Sequence, residues 1–283
     1  MAIVQITEFT DPGCPWAYSA EPSRRKLQWL YGDAIQWRRR MVVLAEDPQH
    51  YIDKGMTPEK LARGLATIAR EHGMPIDTRA RSRVAATAPA CRAIVAARLR
   101  APAAEDALLR AFRVRAMRGE LLDEDSTVRG AAQDAGLDAG DVLRWSAEDE
   151  VEQAMREDMA AAREPIAAAR VLDDRLANWS GGRRYTCPSY EIVRESDGVR
   201  IAVPGFQPFA AYDVVLANLV PGTDRREPPQ SVSAVLQWAG ESLATREVAV
   251  VCDIEHAKAR EELGRVAGEQ HVGADGFWTL AAA

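Results

Sequence analysis

The sequence has no Cys-x-x-Cys pair. Its four cysteines, Cys14, Cys91, Cys187 and Cys252, are scattered along 283 residues. That spacing does not suggest a zinc site, and a cytoplasm would keep structural disulfides reduced. The plain reading of a lone cysteine is a small buried hydrophobe, which suits Cys252 best and then Cys91. The opening stretch MAIVQITEF lacks a basic segment leading into an apolar run, so no secretory signal is expected. No segment approaches the roughly 18 apolar residues of a membrane span. A cytoplasmic location follows as the expectation. Excess positive charge is missing too. The formal net charge of -6 argues against general affinity for nucleic acid or anionic membranes. His50, His72, His256 and His271 show neither nucleophile nor metal spacing, and no metal is expected. What is present is a hydrophobic fraction of 47% against 28% charged residues. That balance supports a sizeable core, and the length suits one large domain with an addition.

Ile3 to Phe9 reads as a strand, and Thr10-Asp11-Pro12-Gly13 as a turn. Pro15 to Tyr31 suits a helix ended by Gly32-Asp33, and Ile35 to Leu44 a second strand. Strand, helix and strand in that order predict a parallel pair. From Thr57 to about Arg175 the chain is rich in Ala, Arg, Leu and Glu. Helices are expected over Thr57–His72, Pro89–Leu99, Ala103–Arg118, Ser126–Ala135 and Ala147–Ala169, with Gly136 and Gly140 as stops. Strand signals return at Ser189–Arg194 and Val199–Val203 around Glu195-Ser196-Asp197-Gly198, a hairpin turn. Pro208–Leu219 reads as a helix.

Residues 221–230 are polar and carry prolines, as a linker does. Beyond them, Ser231–Ala239, Thr245–Val251 and Ile254–Ala267 look helical. His271–Leu280 reads as two short β pieces around an Asp275-Gly276 turn. Three helices and a hairpin are winged-helix-like. The region 231–283 holds four basic and eight acidic residues, about -4 net, a poor match for phosphate. A structural or protein-contacting tail is expected, with nucleic acid an unlikely partner.

Asp11-Pro12-Gly13-Cys14-Pro15-Trp16-Ala17-Tyr18 lies between a strand and a helix. Cys14 falls at the helix start with Pro15 suited to the first helical position. Free N–H groups and the positive end of the helix dipole favour a thiolate there, and the thiolate is the nucleophile. The motif resembles the active-site turn of the DsbA family, particularly its FrnE-like and mycothiol-dependent branches. Tyr185-Thr186-Cys187-Pro188-Ser189-Tyr190 resembles that family's cis-proline loop, and Val203-Pro204-Gly205-Phe206-Gln207-Pro208 its entry to the last helix. The likeness covers about residues 1–220. It implies an α/β, thioredoxin-like fold (1–50 and 180–220) with an inserted helical domain (51–179), followed by the linker and the winged-helix-like tail.

The resemblance also implies roles. Cys14 is the nucleophile, Pro188 the cis-proline facing it, and the Thr186–Cys187 backbone a surface for an extended thiol substrate. Pro15 and Trp16 shape the cleft, and Cys91 borders it. Position 17 is Ala where dithiol members have a second cysteine. The leading expectation is a DsbA-like thiol–disulfide oxidoreductase with Cys14 as monothiol nucleophile, resolved by mycothiol or glutathione as cosubstrate; a pairing of Cys14 with Cys187 as disulfide or shared metal ligands, and thiol-dependent isomerase or transferase chemistry like that of hydroxychromene-carboxylate isomerases, stay open beside it. A noncatalytic redox sensor or binding protein stands beside them, and a homodimer is compatible with each. Arg24 and Arg25 read as a solvated helix face or as attractors for an anionic thiol. Tyr18 reads as a thiolate donor or as packing.

Overall fold

The structure is a computed structural model and describes residues 2–281. Chain order begins β1 (Val4–Thr10), α1 (Pro15–Ser19), α2 (Glu21–Tyr31) and β2 (Ile35–Met41). A helical block follows: α3 (Gln49–Ile52), α4 (Pro58–His72), α5 (Ala88–Arg100), α6 (Glu105–Arg118), α7 (Asp125–Asp134), α8 (Ala139–Ser146), α9 (Asp149–Ala162) and α10 (Ala167–Arg170). Then come β3 (Ala177–Trp179), β4 (Gly182–Arg184), β5 (Ser189–Arg194), β6 (Arg200–Val203) and α11 (Phe209–Leu219). The tail holds α12 (Val232–Ala239), β7 (Leu243–Ala244), α13 (Thr245–Cys252), α14 (His256–Val266), β8 (Ala267–Val272) and β9 (Asp275–Leu280).

The main sheet has the order β2-β1-β5-β6. β1 runs parallel to β2, with Val4 opposite Ile35, and antiparallel to β5, with Val4 opposite Arg194. β1 is therefore central. Val4 and Ile6 point to one face and pack with Leu27 of α2 and Leu216 of α11. This is the DsbA-like α/β arrangement, with the helical block inserted between β2 and the β5–β6 hairpin.

Several boundaries differ from the sequence reading. The helix expected over 15–31 is broken at Ala20, because Pro22 has no N–H to give to Tyr18 and its ring crowds that carbonyl. The helix expected over 147–169 ends at Ala162 for the same reason, Pro165 standing four residues after Ala161. Gly140 is not a stop but lies inside α8, whose start is fixed by Asp138 accepting the Asp141 N–H at 2.9 Å. The small β3–β4 hairpin around Ser180-Gly181 was not expected. The terminal hairpin starts at Ala267 and turns at Gly273-Ala274, not at Asp275-Gly276. Gly273 has φ of 63°, and a Cβ there would stand 2.0 Å from the Ile76 carbonyl oxygen, so only glycine turns at this place. Asp275 is needed in the strand, where it accepts from the Thr245 hydroxyl at 2.7 Å.

The tail arranges helix, short strand, two helices and hairpin around a three-stranded sheet, β7-β9-β8. It is docked rather than tethered. Trp29 of α2 packs among Val235, Leu236, Val248 and Trp278 of the tail. Residues 221–230 are themselves held: Arg226 N–H donates to the Leu30 carbonyl at 2.9 Å, and the Trp29 indole donates to the Glu227 carbonyl at 2.9 Å. Phe277 reaches a cluster with Met117 of α6 and Tyr18 of α1.

A buried ionic cluster joins all three parts. Arg113 of α6 bonds Glu8 of β1 at 2.7 Å and also Glu21 of α2. Arg24 bonds Glu21 at 2.6 Å and Asp106 at 3.0 Å. Arg110 of α6 grips Glu247 of α13 through two bonds, 2.7 and 2.6 Å. Arg25 bonds Glu241 at 2.5 Å. Arg24 and Arg25 are thus buried and paired. Neither reading of them from the sequence, solvated face or thiol attractor, holds. Besides the local Glu21, the partners Asp106 of Arg24 and Glu241 of Arg25 lie 82 and 216 residues away in the chain, beyond the reach of local pattern.

Candidate active site

β1 ends at Thr10, and three residues carry the chain to Cys14 at the N-cap of α1. Cys14 has extended backbone angles (φ -80°, ψ 113°), and Pro15 follows as the first helical residue. Gly13 is forced by space: a Cβ there would lie 2.8 Å from the Thr87 methyl. The turn is locked from below by Asp11, which is fully buried. Its carboxylate accepts the Gly13 N–H at 2.7 Å, the Leu44 N–H at 2.8 Å and the Thr87 hydroxyl at 2.7 Å. The Cys91 thiol donates to it as well, at 3.6 Å. Burial raises the Asp11 carboxyl above its ordinary value, and these donors act against that rise. Opposite, Val43 sits at φ 54°, a left-handed conformation that a β-branched residue rarely adopts. That twist turns the Leu44 N–H onto Asp11.

The Cys187–Pro188 peptide is cis, and the Cys187 carbonyl lies 3.3 Å from the Cys14 sulfur. As a thiol, Cys14 donates to that carbonyl. As a thiolate, it accepts from the Cys187 thiol and from the Ala17 and Trp16 N–H groups. The Cys187 bond is the strongest influence and, with the helix N–H groups, it outweighs burial and the Asp11 charge, so Cys14 titrates below an ordinary thiol. Burial, and then the Cys14 sulfur, push Cys187 well above one.

The other candidates take different places. Thr186 is occupied by bonds to the Arg175 carbonyl at 3.0 Å and the Ser189 hydroxyl at 3.2 Å. Trp16 is 40% exposed, and its ring meets His72 of α4 at 5.1 Å and Phe206 at 5.7 Å. Cys91, expected to border the cleft, is wholly enclosed in the core of the helical block and touches the site from behind, through Asp11 and Thr87. Its position in the first turn of α5 points it inward, so substrate cannot reach it. Tyr18 is committed elsewhere, donating to the Pro75 carbonyl at 2.8 Å.

A cavity of about 390 Å³ opens beside Cys14, walled by the active-site turn, α4 and residues 81–87 and 116–122. Tyr51 of α3 lines it too. Burial, then the neighbouring Asp11 and Cys14, raise its phenol far above the ordinary value, so it stays protonated beside these groups. Asp11 and Tyr51 are the residues that sequence reasoning missed. Asp11 stood in the motif and was read only as a turn former. Tyr51 carried no local signal.

A cysteine at a helix N-terminus, faced by a cis-proline loop and roofed by an inserted helical block, defines a DsbA-like thioredoxin protein. The profile of the DSBA-like thioredoxin domain matches residues 5–165, more than half of the chain, and the chain belongs to that family. It is 26% identical over 276 residues to the ClpXP adapter protein SpxH of Halalkalibacterium halodurans, covering 94% of this chain and 84% of that protein. A solved structure from Streptomyces coelicolor, described as a probable DsbA oxidoreductase, shares its fold (TM-score 0.56, 20% identity, 80% of this chain and 93% of that one). So does the cytosolic disulfide reductase DsbM from Pseudomonas aeruginosa (TM-score 0.52, 17% identity, 76% of this chain and 100% of that one). Among the described residues no helix is long and apolar enough to cross a membrane, and no cluster of His, Cys, Asp and Glu suits a metal ion.

Proposed function

We propose that this protein performs thiol–disulfide exchange with Cys14 as its single attacking sulfur. The observation that carries the reading is the setting of the Cys14 sulfur: Cys14 stands at the N-cap of α1, ahead of Pro15 at the first helical position, and its sulfur lies 3.3 Å from the Cys187 carbonyl of the cis-proline loop. The Cys14 thiolate attacks one sulfur of a disulfide. A Cys14–sulfur bond forms, the substrate S–S bond breaks, and the second sulfur leaves as a thiolate. A small thiol of the mycothiol or glutathione class then attacks the mixed disulfide and frees Cys14. Cys187 serves as hydrogen-bond donor to the Cys14 thiolate, since burial and the neighbouring Cys14 sulfur favour its thiol form.

The test is the pH profile of Cys14 alkylation. In Cys187→Ala the profile shifts to higher pH, and Cys187→Ser, whose hydroxyl also donates, restores much of the shift. Mild oxidation followed by mass spectrometry gives a Cys14 adduct with an added small thiol. An unshifted profile, or a Cys14–Cys187 disulfide as the main product, would overturn the monothiol reading.

A second reading is favoured by one observation: the similarity to an adapter protein runs through the tail as well as the thioredoxin-like part. In that reading the thiol state of Cys14 governs a binding surface that includes the tail. Measuring association with ClpXP in the reduced and Cys14-modified states tests it. No association in either state would sink it, and equal affinity in both would remove the redox control.

A further inference from the structure

The walls of the cavity beside Cys14 say what kind of disulfide reaches it. Leu65 and Ile68 of α4 face it from one side, and Met117 and Leu121 from the other. Few polar atoms break that surface, and a volume of about 390 Å³ is in the range of small-molecule sites. A hydrophilic disulfide would lose much of its water against those apolar walls.

Charge adds a second constraint. Four charged residues line the cavity: Lys60, Arg81, Arg83 and Glu120. Two are spent on neighbours. Arg83 pairs with Asp123 at 2.8 Å, and Glu120 with Arg115 at 2.8 Å. Among the described residues the other two have no carboxylate partner within ion-pair distance. Arg81 donates to the Asp77, Arg79 and Ala116 carbonyls, while the nearby Asp77 carboxylate pairs with Arg79 at 2.6 Å. Lys60 donates to the Gly55 carbonyl at 2.6 Å. The cavity thus joins a reactive sulfur, apolar walls and a cation, Arg81, free to meet an anion.

We propose that the substrate of Cys14 is an amphipathic disulfide: an alkyl chain ending in an anionic group, with the chain on Leu65 and Ile68 and the anion at Arg81. This rests on Cys14 being the attacking sulfur. The exchange balances without another reactant: one S–S bond breaks, one Cys14–sulfur bond forms, and an alkyl thiolate leaves.

The test uses the full chain and three probes: the disulfide of mercaptohexanoic acid, its neutral diamide, and glutathione disulfide. Adduct formation on Cys14 is followed by intact-mass spectrometry, each rate normalised to that of a free small thiol. The dihexanoate probe should react about tenfold faster than glutathione disulfide, since a few buried methylenes suffice for that ratio. It should exceed the diamide about fivefold, the worth of one favourable charge contact. Arg81→Gln should bring the carboxylate-to-amide ratio to about one, and Leu65→Asp should lower both alkyl probes relative to glutathione disulfide. Equal normalised rates for all three probes would overturn the inference. If no disulfide modifies Cys14, yet calorimetry shows the dihexanoate binding Cys14→Ser, the cavity's preference stands and the exchange reading falls.

Discussion

Glu247 offers a direct measure of how the tail is held. It is wholly buried, and its carboxylate takes two bonds from Arg110, at 2.7 and 2.6 Å, and the Ala244 N–H at 2.7 Å. The Arg25 Nε lies 3.8 Å away. Glu247→Gln removes the charge and leaves two buried guanidinium groups short of a counterion. Breaking a buried pair from one side costs about 3–5 kcal/mol. Arg110 retains Glu21 at 3.8 Å and Glu241 at 3.9 Å, which favours the lower end, about 3 kcal/mol. For a chain of this size that lowers the melting temperature by roughly 6–12 °C. The assay is thermal unfolding followed by far-UV circular dichroism and by tryptophan fluorescence, to which Trp238 and Trp278 of the tail contribute among the seven tryptophans. Both probes should move together, because the cluster ties the tail to α2 and α6. Adding Arg110→Met should recover part of the loss, giving a coupling of about 1–3 kcal/mol. A shift under about 1 °C, or strictly additive variants, would refute the argument that this cluster holds the tail.

Other outcomes follow from the same structure. Asp11→Asn should lower stability by about 1–3 kcal/mol, because an amide group replaces an acceptor of buried donors. It should also speed Cys14 alkylation at neutral pH, because the Asp11 charge opposes the thiolate; slower alkylation at unchanged stability would contradict this. Gly273→Ala should cost about 3 kcal/mol or more in urea unfolding, since the added methyl meets the Ile76 backbone. Gly136→Ala, with φ of 73° but open space around it, should cost only about 1 kcal/mol, and similar losses at both sites would refute the steric reason. Burial would raise the Glu21 and Asp106 carboxyls, but Arg24, with Arg113 and Arg110 on Glu21 and Arg39 on Asp106, holds both far below the usual range. Their contribution is present above the ordinary carboxylate pKa and is lost as pH falls below about 4.5. Asp11, raised by burial, works with the opposite sign, contributing at low pH and losing that contribution as pH rises through 3.8 and beyond. A urea midpoint that does not fall between pH 5 and pH 3 would refute the dominance of the paired acids.

The landmarks nearest the chemistry were legible because they are local. A proline after Cys14 marks a helix start, and the loops at Pro188 and Gly205 each carry their own pattern within a few residues. The alternation of Val4 and Ile6, with polar neighbours, was enough to place β1. What stayed hidden depends on contacts across the chain. Arg24 and Arg25 look solvated until Asp106 and Glu241 arrive beside them. Cys91 looks available until α5 is packed and turned. Tyr51 acquires its place only when α3 folds over the active-site turn. Proline also decided more than the apolar periodicity suggested, since Pro22 and Pro165 each divided a helix whose hydrophobic pattern runs on.

The central position of β1 has a consequence for synthesis. One edge of this strand pairs with β2 almost as soon as both have left the ribosome. The other edge is covered only by β5, which follows the whole helical block. At translation rates of about 5–20 residues per second, that edge waits on the order of 10–30 s. During that interval the nascent chain presents an unpaired strand carrying Val4, Ile6 and Phe9, together with the bare flank of Trp29 that the tail will cover. The helical block can consolidate meanwhile around its own core, but the sheet cannot close. The vulnerable period of this protein is therefore set by the length of its insertion. Shortening the insertion, or slowing translation within it, would change aggregation during synthesis even where the finished fold is equally stable.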